Sequence, residues 1–503
     1  MYGMHIEFKT NFRGWLENHR WKPKELAENL GVSRQTIHHW MDGSSTPKNE
    51  EVIRKLYKLG GDNLITFMNR DDKPRIAKPR AYFEIEGGTK ISGEIRINGA
   101  KNAALPMLCA ALLTPEKCTF LEVPNITDID NLLTIFEDIG VSVNRYPTER
   151  KVEIEAKKVD LDRLADLDDV RKFRASLLML GPILSRFGQC EILMPGGCVI
   201  GARSNYIHTD GLQLLGAEVE ESDDSLKATF DREDLKSKRI LLSEASVTGT
   251  ENLAMFLAGQ NDTAEIYFSA AEPHVCATLE MLNSMGAMIE GIGTHHLKIK
   301  GTKMLKGGTF TIPTDGLLVG TYAIAALLTQ GELMIKNVNH RELFSFYGLL
   351  KRLGAQFEML DDALHVLPSP NLKAIPKVQT AIYPGFSTDL QSPLGVLLTQ
   401  CEGDSLLFET LFENRLTYLL ELEKMGAKVQ ILNPHQARIS GKVKLRAAEV
   451  QSWDLRAGAA MVLAGLIAEG YTKVTNIDYI DRGYEDFVEN LNSLGAHIER
   501  VET

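Results

Sequence analysis

Cysteine is scarce in this chain, six among 503 residues, and the six follow no spacing pattern. That excludes a disulfide framework and points to a reducing compartment. No apolar run reaches the ~18 residues of a membrane span, so none is expected. The opening stretch MYGMHIEFKTNFRGWLENHR has no apolar core and no small-residue cleavage site, and is not read as a secretion signal. No histidine or cysteine spacing indicates a metal. His38-His39 and His295-His296 are adjacent pairs whose side chains diverge on a helix or strand. The expectation is a cytoplasmic globular protein with no metal and no other cofactor.

A chain of 503 residues is too long for one hydrophobic core, which sets a prior of roughly two to four domains. Charge is unevenly spread. Residues 1–70 hold 11 Lys and Arg against 8 Asp and Glu, so the remainder carries −14 of the overall −11. An acidic body does not draw nucleic acid through its overall field. An anionic ligand bound there needs cations gathered in a cleft.

Six times an apolar helix-like segment ends in glycine and is followed by a short alternating run: FEDIGVSVN, LQLLGAEVE, LNSMGAMIE, LKRLGAQFE, LEKMGAKVQ and LNSLGAHIE. The glycines are Gly140, Gly216, Gly286, Gly354, Gly426 and Gly495, spaced 76, 70, 68, 72 and 69 apart. Each is placed to close a helix in the left-handed conformation before a strand begins. A second apolar segment precedes most copies, as in AALPMLCAALL and AGAAMVLAGLIAEGYTKVTNI. The unit therefore reads helix, strand, helix, strand over roughly 70 residues. Six open α/β units group most simply as two sets of three, with a ligand expected between the halves.

The segment Pro195-Gly196-Gly197-Cys198-Val199-Ile200-Gly201-Ala202-Arg203 places a thiol after a Gly-Gly step and a guanidinium five residues on. A loop of this kind can present the thiol to a ligand whose anionic group the arginine holds. It can equally be a glycine turn around a buried structural thiol, and spacing alone does not decide. Cys109, Cys118, Cys190, Cys276 and Cys401 sit in apolar runs and read as small core residues.

With NGAKNAALP at 98–106 and the stretches FSTDLQ, FENR, DLRAGA and IDRGYED, the cysteine loop makes residues 82–503 resemble the enolpyruvyl transferases. The resemblance is nearest to the UDP-N-acetylglucosamine 1-carboxyvinyltransferases of peptidoglycan synthesis. It implies two inside-out α/β barrel domains of three repeats each. It also implies phosphoenolpyruvate held by Lys101, Asn102, Arg203, Arg415, Arg456 and Arg482, a set of groups suited to a phosphate and a carboxylate. Asp389 would take the acceptor's hydroxyl proton. Cys198 would protonate C3, with Lys101 as a further catalytic residue. The nucleotide sugar would meet Arg174, Arg203, Ser246, Val247, Thr248, Asp389 and Leu411. Three stretches depart from the family pattern. Ser204-Asn205-Tyr206-Ile207 lacks its proline and carboxylate, Glu244 and Thr248 replace its lysine and glycine, and PTDGLLVGTY lacks an arginine and a glutamate. The acceptor thus stays open between UDP-N-acetylglucosamine and a different nucleotide sugar.

Residues 22–40, KPKELAENLGVSRQTIHHW, read as a helix, a Gly31-Val32 turn and a second helix capped by Ser33. This resembles the helix-turn-helix of phage-repressor-type regulators. Arg34, Gln35, Thr36 and His39 would then face DNA bases. A small interaction module with a solvated polar face fits the same residues. The whole is expected to be an all-α head at 1–68, a linker at 69–81, one transferase domain from 82–100 with 314–503, and a second at 101–313. An active transferase with an appended head is one function; a ligand-sensing transcription regulator built on a transferase body is the other.

Overall fold

The computed structural model describes residue 16, residues 22–42, residues 52 and 55, and residues 81–194, 205–222, 224–231 and 235–502. The chain divides into two units, Met1–Arg80 and Ala81–Thr503. In the first, the helix Pro23–Leu30 opens on a proline, whose missing N–H costs nothing at a helix start, and closes on Gly31 at φ 73°. Ser33 Oγ accepts the Thr36 N–H at 3.0 Å and caps the helix Arg34–Asp42. Leu26, Leu30, Ile37 and Trp40 are buried, while Arg34, Gln35 and His39 are exposed.

The second unit is a sixfold repeat. All six glycines named above have positive φ, between 82° and 119°. Each ends a helix and delivers the chain into a sheet-edge strand, such as Ser142–Tyr146 after Gly140 and His497–Glu502 after Gly495. The repeat is richer than helix, strand, helix, strand. A further strand follows the first five of these and turns back on each, as Lys151–Glu155 pairs with Ser142–Tyr146, while the sixth, His497–Glu502, pairs with Ala81–Glu86 from the start of the unit. These return strands alternate buried and exposed residues but are only about five long. They are therefore hard to separate from loop in sequence.

The result is six small sheets, five of four strands and one of three among the described residues. The first helix of each repeat is apolar all round and buried all round, the pattern of a helix inside a core. Every residue from Leu318 to Leu328 is buried in Gly316–Thr329, and likewise from Arg456 to Leu466 in Leu455–Ile467. The second helix is one-sided. In Pro273–Met285 the buried positions Val275, Leu279, Leu282 and Met285 recur at three and four residues. Sheets therefore face outward and helices inward.

The buried apolar residues form two clusters, one running from Ala100 to Ile312 and the other combining Phe83–Ile97 with Leu318–Ile498. The chain passes between them twice, and the two passages are tied together. Gly99 bridges Thr314, Ala100 N–H donates to Pro313 O at 2.7 Å, and Asp315 N–H donates to Asn98 O at 3.0 Å. In the first cluster, the helices Tyr206–Leu215 and Val247–Ala258 meet through buried His208. Asn252 Nδ2 donates to His208 Nδ1 at 2.8 Å, so the ring proton sits on Nε2, 3.2 Å from Thr248 Oγ1. Cys276 departs from expectation. It is half-buried, whereas Cys109, Cys118, Cys190 and Cys401 are core.

Two predictions follow from backbone and burial. At Gly286, φ 119°, an added Cβ would meet only ordinary contacts, Thr302 Cγ2 at 3.8 Å and Met304 O at 3.9 Å, so Gly286→Ala meets mainly backbone strain and should destabilise by ~1–2 kcal/mol. Gly348, mid-helix and exposed with no atom within 4 Å of an added Cβ, should gain ~0.5–1 kcal/mol as alanine. Urea midpoints of the two variants should move in opposite directions. Burial, with Arg174 adding to it, lowers the His208 imidazole to about 3. Its folded value lies below the unfolded one near 6.5, so its contribution is intact above that pH and is lost as pH falls toward 3. Urea midpoints measured from pH 7 to pH 4 should fall less steeply in His208→Gln than in the parent.

Candidate active site

A cavity of about 880 Å³ lies within the second unit, lined from both apolar clusters. Four buried helices begin at its wall, with Lys101, Val247, Gly316 and Leu455 as first residues. A fifth is entered through the turn Thr388–Leu390, which also lines it. Helix starts carry unpaired N–H groups and positive potential, so the wall favours anions. Part of that potential is used internally. Asp315 accepts from Leu317 and Leu318 N–H, and Asp454 accepts from Arg456 and Ala457 N–H.

Four cations stand on this wall, each tied to a carboxylate from a distant segment. Lys101 Nζ lies 2.7 Å from Asp128 Oδ2, and Arg482 Nε reaches Asp128 Oδ1 at 2.9 Å. Arg415 Nη2 reaches Asp389 Oδ1 at 2.6 Å, and Arg456 Nη2 reaches Oδ2 at 3.2 Å. Burial alone would raise the Asp128 carboxyl, yet Lys101 and Arg482 outweigh it and hold the group below its ordinary value. Burial pushes the Lys101 ammonium down, with Asp128 opposing. Burial also works against the charge on Arg415, but Asp389, Asp454 and Glu409 more than compensate. Nε of Arg415 and both Nε and Nη1 of Arg456 are buried donors with no acceptor among the described residues. Such donors fit an anionic ligand with several oxygens.

The same cavity also holds acidic groups. Glu251 is 1% exposed, and its Oε1 finds no partner among the described residues. Burial, reinforced by Glu272, raises its carboxyl well above the usual range. Glu342 is raised to about 7, by burial first and by Asp315 in part. Glu244, Tyr206 and Thr248, the departures from the family pattern, line the same cavity.

The structure gathers Lys101, Asn102, Arg174, Ser246, Val247, Thr248, Asp389, Leu411, Arg415, Arg456 and Arg482 around this one space. Cys198 and Arg203 lie outside the described residues. Three carboxylates escaped the sequence reading. Asp128 joins Lys101 to Arg482, although its partners lie 27 and 354 residues away. Glu409 is fully buried and holds Thr380, Thr388 and the N–H groups of Leu411 and Phe412. Glu485 binds Arg150 Nη1 at 2.6 Å and Asn125 N–H at 3.0 Å. No local pattern marks them. The only signal is an acid inside an otherwise apolar or glycine-rich motif. Among the described cysteines, burial pushes every thiol up, to about 11 at Cys118 and Cys276, so none is activated.

Residues 85–491 match the family model of EPSP synthase (3-phosphoshikimate 1-carboxyvinyltransferase). The UDP-N-acetylglucosamine 1-carboxyvinyltransferase of Campylobacter hominis is 39% identical over 422 residues, 84% of this chain and 99% of that protein. The protein of the same name from Methylacidiphilum infernorum is 41% identical, over 83% of this chain and 98% of its own. Among solved structures, the enolpyruvyl transferase NikO from Streptomyces tendae superposes with a TM-score of 0.74 at 22% identity, covering 84% of this chain and 99% of that one. EPSP synthase from Acinetobacter baumannii gives 0.63 at 17% identity, covering 84% and 100%. These two likenesses establish the mixed α/β fold. The family match and the identity to the two carboxyvinyltransferases go further: the chain belongs to the enolpyruvyl transferase family.

Proposed function

We propose that the protein transfers the enolpyruvyl group of phosphoenolpyruvate to the 3-hydroxyl of UDP-N-acetylglucosamine and releases phosphate, in peptidoglycan precursor synthesis. The observation that carries this reading is the pair of buried guanidiniums, Arg415 and Arg456, that line a cavity where several helices begin. Lys101, Arg415, Arg456 and Arg482, with Asn102 and Arg203, hold the phosphate and carboxylate of phosphoenolpyruvate. Arg415 and Arg456 serve either Asp389 or an anionic substrate. Binding the substrate's oxygens loosens their grip and frees Asp389 to take the hydroxyl proton. The sugar oxygen then bonds to C2, and Cys198 delivers its proton to C3. In the second half C3 loses a proton, the C2–O bond to phosphate breaks, and the enol ether remains. Arg174, Ser246, Val247, Thr248 and Leu411 flank the acceptor. Glu244 beside the Ser246-capped helix start repels a diphosphate, which keeps a different nucleotide sugar as the alternative acceptor.

The domain reading follows the apolar clusters: residues 82–100 with 314–503 form one transferase domain and 101–313 the other, after a head at 1–68 and a linker at 69–81. The head reads as a DNA-binding helix-turn-helix. Its support is the left-handed Gly31 between two helices, with Arg34 and Gln35 exposed and Thr36 half-buried at the start of the second and His39 one turn on. A regulator that uses the transferase body as a sensor is the competing reading. The unpaired donors and the Asp389 carboxylate argue for catalysis instead.

Phosphate release with phosphoenolpyruvate and UDP-N-acetylglucosamine is the deciding assay, repeated with other nucleotide sugars. Turnover is expected, with Asp389→Asn lowering kcat at least ~100-fold, the scale of a lost general base. Cys198→Ser should lose turnover, while Cys198→Asp should keep some. Removal of residues 1–80 should leave activity unchanged. Turnover with no acceptor despite bound phosphoenolpyruvate would establish the sensor reading. For the head, a mobility shift on fragments near its own gene is expected at ~50 mM salt and should weaken steeply as salt rises. Arg34→Ala and Gln35→Ala should relax sequence preference; no shift would make the head a protein-interaction module.

A further inference from the structure

Glu272 immediately precedes the helix Pro273–Met285, whose buried face belongs to the first apolar cluster, and it lines the cavity. Its carboxylate is fixed at both ends. Oε2 accepts the Ala271 N–H at 3.1 Å, and Oε1 accepts the Tyr383 N–H at 3.3 Å. Tyr383 belongs to a segment whose apolar neighbours Val378, Phe386 and Leu390 lie in the second cluster. This hydrogen bond therefore joins the two halves at the cavity.

What Tyr383 begins is a stiff turn. Gly385 N–H donates to Ile382 O at 2.8 Å, and Ala381 N–H to Phe386 O at 3.0 Å. Further on, Leu390 N–H donates to Ser387 O at 3.1 Å, Asp389 N–H donates to Ser387 Oγ at 3.2 Å, and Thr388 Oγ1 donates to buried Glu409 at 2.7 Å. A displacement at Tyr383 is transmitted along this bonded path to Asp389, six residues away. Asp128–Arg482 and Glu485–Arg150 also join the halves, but neither touches this turn.

We infer that Glu272 is a positioning residue for the transfer reaction, a latch by which one half of the molecule sets the placement of Asp389 on the other. The inference rests on the reading of Asp389 as the group that takes the hydroxyl proton. It assigns Glu272 no contact with substrate and makes its accepting oxygen, not its charge, the functional element.

The test uses the full chain with Glu272→Ser and Glu272→Gln. Serine is an accepted residue before a helix but is too short to reach Tyr383, and glutamine keeps one accepting oxygen for Tyr383 without charge. Hydrogen–deuterium exchange of a peptide covering 380–390 reads the latch directly. Phosphate release reads its consequence. Glu272→Ser should exchange faster there and lose kcat ~10-fold with little change in KM for phosphoenolpyruvate, the scale of one hydrogen bond to a charged group. Glu272→Gln should stay within ~2-fold of the parent in both, since its amide oxygen preserves the bond. Parent-like exchange in Glu272→Ser overturns the inference. So does a Glu272→Gln as impaired as Glu272→Ser, since charge would then be the working element. Should no acceptor turn over even in the parent, the reading of Asp389 fails, while the exchange comparison still decides the latch.

Discussion

Four of the cations that line the cavity can be buried there only if their charge is answered by carboxylates, because a lone buried ion costs several kcal/mol. Here two aspartates do it, each for two cations, Asp128 for Lys101 and Arg482 and Asp389 for Arg415 and Arg456. The Asp128 pairing also spans the two apolar clusters, since Lys101 and Asp128 come from one half and Arg482 from the other. The same contacts that make the cation cluster tolerable thus hold the halves in register. Glu485 does comparable work beside it, engaging Arg150, Asn125 and Asn98 from a loop of the second half.

The two aspartates are not equivalent. Asp128 is 2% exposed and is closed in by both its partners, a structural arrangement that also tunes Lys101. Asp389 sits on a turn at the cavity surface, its side chain 23% exposed. A carboxylate that is reachable and held by guanidiniums lining the same cavity can exchange partners. A carboxylate sealed between its cations cannot. This difference in burial suits Asp389 to the proposed role of proton acceptor and Asp128 to that of a scaffold, although both are aspartates paired to two cations.

Much of this was legible in the sequence, and the failures have physical causes. The six glycines announced helix ends because only a left-handed residue lets a helix turn directly into a sheet-edge strand, and all six have that conformation. Lys101, Asp389, Arg415, Arg456 and Arg482 could be found because each stands in a short stretch that resembles a motif of the enolpyruvyl transferases. Asp128 and Glu485 could not, because what defines them is pairing across hundreds of residues, and Glu409 could not, because its partners Thr380 and Thr388 come from a separate strand end and turn. The return strand of each hairpin was missed because five alternating residues do not outweigh loop composition. Cys276 misled because its helix buries only one face, so an apolar neighbourhood in sequence does not place a side chain inside.

The repeat itself explains why chemistry gathers at one place. Sheets lie outside and the first helix of each repeat lies inside, so these helices have no solvent-facing flank and can expose only their ends. Two sets of such helices brought together by the paired passages at 98–100 and 313–315 turn their starts toward a common space. Each start contributes N–H groups that nothing within the helix can satisfy. Asp315, Asp454 and Ser246 satisfy some of them. The rest, with the guanidiniums, leave a surplus of donors in one cavity of an otherwise acidic body. An anion is therefore drawn there by the geometry of the fold, against the net charge of the molecule. The carboxylates of Glu251, Glu272 and Glu342 that line the same cavity restrict where in it the negative charge can settle.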